Sequence, residues 1–299
     1  MNTNFRGVII TIVGACGWGF SGACGQYLFE NYNINAYWLT TVRMLSAGTI
    51  LLAFNLFNER GKSLNILKNK RDLFRLILFA IFGLLPAQLF YLLAISHSNA
   101  GTATVLQYIG PVLIMVYVCC KERRRPTKYE SLALLCVIVG TTMLATGGDL
   151  GNLVLSEKAL FYGLLSAVGF FLYSILPGNL TEKYGSKVVV GYAMIFNGFI
   201  MKEFIYREPM NLILNINAYL AIMGIVLIGT IGAFVLYLQG VLEIGASKAS
   251  MIASIEPVSA SLFAFLWLGT VFVKTDIIGI SFITSAVLLV SAFNNKKRQ

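Results

Sequence analysis

Three apolar runs follow one another almost without pause at the start of this chain: Gly7–Leu28, Ala36–Phe57 and Leu73–Ile95. Each is long enough for a helix to cross a bilayer, which takes about 20 residues. A water-soluble fold cannot bury three such runs in succession, and further runs follow them. Ten spans fit the sequence, at 7–28, 36–58, 73–95, 99–119, 129–147, 158–177, 187–206, 216–238, 249–270 and 275–293. They leave only short loops and no room for an extramembrane domain. Charged residues are 12% of the 299, and the mean hydropathy is +0.76. A typical soluble domain carries about twice that share of charge. Soluble enzymes, disordered chains and nucleic-acid binders are therefore excluded. Backbone in hydrocarbon must satisfy its own hydrogen bonds, and the alternation of a β-barrel is absent, so the expectation is an all-α membrane protein.

The N-terminal run has Arg6 before it, as a signal peptide would, and Val13-Gly14-Ala15-Cys16 faintly resembles a lipoprotein cleavage box. The run is long and further spans follow it, so it reads as an uncleaved first helix. The five cysteines, Cys16, Cys24, Cys119, Cys120 and Cys136, sit in or beside apolar runs without metal-binding spacing.

The net charge of +10 is a topology signal. With ten spans, both termini share a side with the loops around 59–72, 120–128 and 178–186. That side holds nearly all the lysines and arginines. Only Lys158, Lys202, Arg207 and Lys274 fall opposite, and Arg43 lies within a span. By the positive-inside rule the termini and basic loops are cytoplasmic. The surplus also sits well against anionic membrane lipids and needs no nucleic-acid partner.

The chain repeats itself. Displaced by 146 residues, Gly83, Ala87, Tyr91, Leu92, Ala100, Ala103, Ile109, Pro111 and Val112 meet identical residues at Gly229, Ala233, Tyr237, Leu238, Ala246, Ala249, Ile255, Pro257 and Val258. Those are nine identities between 83 and 112, where shared apolar composition gives about two or three. Upstream, a displacement of 152 aligns Ala15, Gly17, Glu30 and Tyr32 with Ala167, Gly169, Glu182 and Tyr184. The sequence thus divides into halves 1–150 and 151–299 with five spans each. Five is odd, so the halves are inverted relative to each other. Inverted repeats mark secondary transporters, with the substrate near the midplane.

The elements Tyr91-Leu92, Ala100, Ala103 and Pro111-Val112, and their second-half copies through Glu256-Pro257-Val258, resemble the EamA type of the drug/metabolite transporter superfamily. The resemblance covers nearly the whole chain. It implies an inverted-repeat bundle whose central cavity moves small metabolites, often outward. The Gly-Glu pair common at the ends of the fourth and ninth spans in that family is missing, since those spans end Lys121-Glu122 and Leu268-Gly269-Thr270.

Gly17-Trp18-Gly19-Phe20-Ser21-Gly22 matches a dinucleotide-loop pattern, but no strand precedes it, and its glycines suit close helix packing instead. Trp18 faces either the cavity or lipid. Arg43 lies about 10 Å inside its span at 1.5 Å per residue. It either binds an anionic group with its planar fork or snorkels to the interface. Glu256 stands beside Pro257, which frees a carbonyl four residues back. Such an acid is suited to exchange protons during a transport cycle, or else only bonds helix ends. Its counterpart in the first half is Gly110. Gln88 and Tyr91 share a helix face, and Gln107, Tyr108, Tyr173, Asn197, Tyr237 and Gln239 lie at similar depth. The expected substrate-binding set is Trp18, Arg43, Gln88, Tyr91, Gln107, Tyr173, Asn197, Tyr237 and Glu256, with no cofactor and no metal. His97, the one histidine, falls in an outer turn and reads as a solvated surface residue.

The expected function is a secondary transporter of small polar metabolites such as amino acids, with proton coupling through Glu256 as an added expectation. Alternatives are a transporter of amines or other cations, a membrane-embedded lipid-modifying enzyme, and a sensor or channel. The enzyme would need an acid or histidine cluster, which the loops lack. ATP-driven pumping would need a phosphate-binding loop, which is also missing.

Overall fold

The computed structural model describes residues 3–59, 64–146, 156–205 and 214–269, with short pieces between 273 and 285. Among these residues there is no strand, and the long helices are α1 (Thr3–Tyr32), α2 (Ala36–Glu59), α3 (Lys70–Ser96), α4 (Ala100–Lys121), α5 (Lys128–Thr146), α6 (Glu157–Ile175), α7 (Ser186–Ile205), α8 (Ile216–Ile244) and α9 (Ala246–Leu268). Seven helices among the described residues are long and apolar enough to cross a membrane. The expected span 275–293 falls largely outside the described residues.

Sequence-local chemistry sets the helix ends. Asn69 caps α3 through its side-chain oxygen, Ser156 caps α6 and Asn215 caps α8. At the start of α5, Thr127 and Glu130 accept from each other's backbone N–H, a capping box. Arg124 grips the same Glu130 through two hydrogen bonds of 2.8 and 3.0 Å.

Packing pairs helices from opposite halves of the sequence. α1 runs antiparallel to α8 and beside α9, while α6 runs antiparallel to α3 and beside α4. α2 and α7 lie along each other. Between lipid-embedded helices there is no hydrophobic drive, so small residues that admit a neighbour's backbone matter most. Gly169 is the clearest case. A Cβ there would collide with the backbone of Pro86 and Ala87. Ion pairs then tie the halves at the basic end. Lys183 Nζ is 2.6 Å from Asp72, which also accepts from Tyr184 at 2.8 Å, and Arg6 is 3.6 Å from Glu243.

Four helices-worth of sequence contain irregular turns that hydropathy does not announce. α3 is π-helical over Phe79–Leu84 and α8 over Gly224–Gly232. α4 breaks at Tyr108, and α9 tightens to a 3₁₀ turn at Ala253–Ile255. Displaced by 146 residues, each irregular turn of the first half falls on that of the second. The repeat seen in the sequence is thus also a repeat of backbone departures.

The α3–α6 contact yields a prediction. Gly169→Ala places a methyl against fixed backbone, and overpacking of this kind costs about 1–3 kcal/mol. The unfolding temperature in detergent should fall. At Gly178, where a Cβ meets nothing within 4 Å, the same substitution should leave it unchanged.

Candidate functional site

The irregular turns surround one cavity. Its walls are Trp18 and Ser21 of α1, Arg43 of α2, Ala87, Gln88 and Tyr91 of α3, Gln107 of α4, Phe170 of α6, Phe234 of α8 and Glu256 of α9. The space admits about one or two waters in this conformation, so a metabolite requires the walls to part.

Arg43 is 2% exposed, and its Nε donates to Thr230 Oγ1 at 3.1 Å. Its guanidinium carbon lies 5.9 Å from the Phe234 ring centre. No carboxylate among the described residues comes within ion-pair distance of it. Glu256 is also 2% exposed and accepts from Tyr108 Oη at 3.2 Å. Tyr91 lies within electrostatic range of both charges and shares a 3.0 Å hydrogen bond with Thr104. A buried charge without a counter-charge is costly in this setting. Two of opposite sign face one cavity here.

Gln88 is the second unusual feature. It is 1% exposed, and neither its Nε2 nor its Oε1 has a partner; the buried Trp18 Nε1 also has none. Buried polar groups are normally satisfied, and each exception calls for an explanation. A ligand with donors and acceptors supplies one.

Of the residues expected from sequence, Trp18, Arg43, Gln88, Tyr91, Gln107 and Glu256 come together in the wall. Gln107 also donates to Ala87 O at 3.1 Å. Tyr173 and Tyr237 stand one layer behind. Their rings meet Trp18 at 6.5 and 4.9 Å. Their hydroxyls are engaged, Tyr173 donating to Phe234 O at 2.9 Å and Tyr237 paired with Ser174 at 2.8 Å. Asn197 is not in the wall. Its Nδ2 donates to Ala80 O at 2.8 Å, within the π-helical turn of α3. Trp18 faces the interior, 7% exposed. His97 is exposed in the turn after α3 and stacks on Tyr162. Partial burial and the nearby charge of Lys158 hold its pKa below the usual histidine value.

Sequence reasoning missed Ser21, Ala87, Phe170 and Phe234. Two of these were reachable through the repeat: Phe170 is Trp18 displaced by 152, and Phe234 is Gln88 displaced by 146. Tyr108 donates to Ala253 O, the carbonyl that Pro257 leaves without its helical donor. Among the described residues, no cluster of His, Cys, Asp and Glu could hold a metal ion.

A polytopic helical bundle around a small buried polar chamber defines a membrane transporter class. The chain belongs to the EamA-like transporter family, which matches residues 5–146 and 157–292. That family lies within the drug/metabolite transporter superfamily. The "Uncharacterized inner membrane transporter YicL" of Salmonella typhimurium is 37% identical over 99% of both chains. The "Uncharacterized transporter YcbK" of Bacillus subtilis is 27% identical over 68% of this chain and 67% of its own. A solved crystal structure with 16% identity superposes with a TM-score of 0.70, covering 97% of this chain and 96% of the other, and shows a shared fold.

Two substitutions in the cavity should shift stability in opposite directions. Gln88→Leu removes unpartnered buried groups, each a burden of about 1–3 kcal/mol, and should raise the unfolding temperature in detergent. Tyr108→Phe strands Ala253 O and Glu256 and should lower it. The same sign for both would contradict this account.

Proposed function

We propose that this protein is a secondary transporter that moves small polar metabolites, amino acids foremost, outward across the inner membrane by alternating access. Its architecture in this reading is ten transmembrane helices in two inverted five-helix halves, 1–150 and 151–299. The matched irregular turns of α3 with α8 and of α4 with α9 support the halves. The exchange of partners, α1 with α8 and α6 with α3, supports their inversion. The name of the Salmonella relative supports the inner membrane.

One observation carries the substrate class. Arg43 and Glu256, buried and of opposite charge, face one cavity with the unpartnered Gln88 and Trp18. A zwitterion supplies a carboxylate to the guanidinium fork and an ammonium to the acid, leaving Gln88 for a further polar group. The surrounding Trp18, Phe170 and Phe234 favour a second reading, a simple amine held over aromatic faces.

A thermal-shift screen of amino acids, amines and nucleosides separates these readings, because a ligand that binds the folded state raises its stability. Amino acids should stabilise most. In proteoliposomes, Arg43→Lys keeps the charge but loses the fork, and should weaken apparent affinity at least about tenfold. Glu256→Gln keeps the shape but cannot ionise. It should still exchange substrate while losing accumulation driven by a pH gradient. Full accumulation in that variant would remove Glu256 from coupling.

Orientation has its own test. In a cysteine-free background, an impermeant thiol reagent applied to intact cells should label Ser98→Cys and not Asn179→Cys. The reverse pattern would invert the topology.

A further inference from the structure

We propose that Thr230 is a positioning residue that joins Arg43 to the π-helical turn of α8, so that an anion drawing on the guanidinium also loosens that turn. The inference rests on the reading of Arg43 as the group that meets the substrate's anionic end.

The geometry is a relay of two hydrogen bonds. Arg43 Nε donates to Thr230 Oγ1 at 3.1 Å, and the same hydroxyl donates to Ile225 O at 2.7 Å. A threonine hydroxyl has one proton to give and can accept as well, so both bonds coexist. Thr230 is fully buried and Ile225 is too. Both lie inside Gly224–Gly232, so the relay ends on the irregular turn itself. Departures from α-helical pairing concentrate where helices bend or function, and a hydroxyl bonded back to the preceding turn adds to the bend.

The other half has a matching clamp. The π-helical turn of α3 is held by Asn197 of α7 through Ala80 O at 2.8 Å. Each clamp reaches from the second helix of one half to the third helix of the other. Only one of them ends in a charge that lines the cavity. Asn197 is neutral and lies outside the wall. The two turns are therefore alike in shape and unlike in what releases them. A substrate anion competes for Arg43, and Thr230 converts that competition into slack in α8. The turn of α3 has no such input. Because the cavity is closed down in this conformation, loosening α8 beside Phe234 is a direct way to widen it.

The test needs no ligand. Amide hydrogen exchange of the full-length protein in detergent is read over 224–232 and over 79–84. Thr230→Val removes both hydrogen bonds at nearly constant shape. It should speed exchange over 224–232 about tenfold, the scale of one lost charged hydrogen bond. Arg43→Met should do the same, and the double variant should be no faster than either single, since one link is being cut twice. Thr230→Ser, which keeps the hydroxyl, should match the parent. Asn197→Leu should speed 79–84 alone. Parental exchange in Thr230→Val or in Arg43→Met would overturn the proposal, as would additive effects in the double variant. Acceleration spread over both turns would mean general loosening and overturn it too. A screen in which no amino acid stabilises the parent would instead sink the substrate reading while leaving this measurement intact.

Discussion

A backbone carbonyl released from its helix has no water to turn to inside a bilayer, so another group must bond to it. That requirement organises the centre of this protein. Pro257 releases Ala253 O, and Tyr108 takes it. Ala80 O is met by Asn197, Ile225 O by Thr230, Ala87 O by Gln107 and Phe234 O by Tyr173. Each bond except that of Thr230 crosses from one helix to another. The irregular turns therefore also lock helices together, and the locks ring the cavity. Binding chemistry and backbone satisfaction draw on the same side chains. A substitution such as Tyr108→Phe will disturb both at once, whereas Gln88 stands apart because it serves no backbone group.

The asymmetry of the chamber follows from a symmetric frame. The halves place equivalent backbone departures around the midplane, yet the side chains at equivalent positions differ. Trp18 is answered by Phe170, Gln88 by Phe234 and Glu256 by Gly110. Polar groups thus collect on α2, α3 and α9, and aromatic ones on α1, α6 and α8. A small molecule with a charged end and an apolar body has one orientation that suits such walls. Two similar halves can exchange shapes while their contents remain different.

The bundle was legible in the sequence because a bilayer imposes a length that soluble folds do not. Nine of the ten expected spans correspond to helices among the described residues, and their edges moved by only a few residues. Arg43 and Glu256 stood out because charges within spans are rare and costly. Gln88 and Tyr91 stood out because residues three apart share a face. Asn197 shows the limit. Depth along a helix says nothing about which side of it a residue occupies, and Asn197 turns toward α3 rather than the cavity. The π-helical turns of α3 and α8 were not legible at all. They depend on how neighbouring helices pack, and their sequences, FAIFGL and GIVLIGTIG, read as ordinary apolar span.

Those two turns also make the chamber a matter of residue counting. A π-helical turn accommodates at least one residue more than an α-turn, and one residue corresponds to about 100° of rotation. Gln88 and Tyr91 come after the turn in α3, and Phe234 and Tyr237 come after the turn in α8. Deleting a single apolar residue from either turn would let the helix run straight as an α-helix. It would also swing everything beyond by about a quarter of a revolution, carrying Gln88 or Phe234 away from Arg43. The shortened chain would keep its hydropathy, its span lengths and its charged loops. It would insert in the membrane as before and lose its wall.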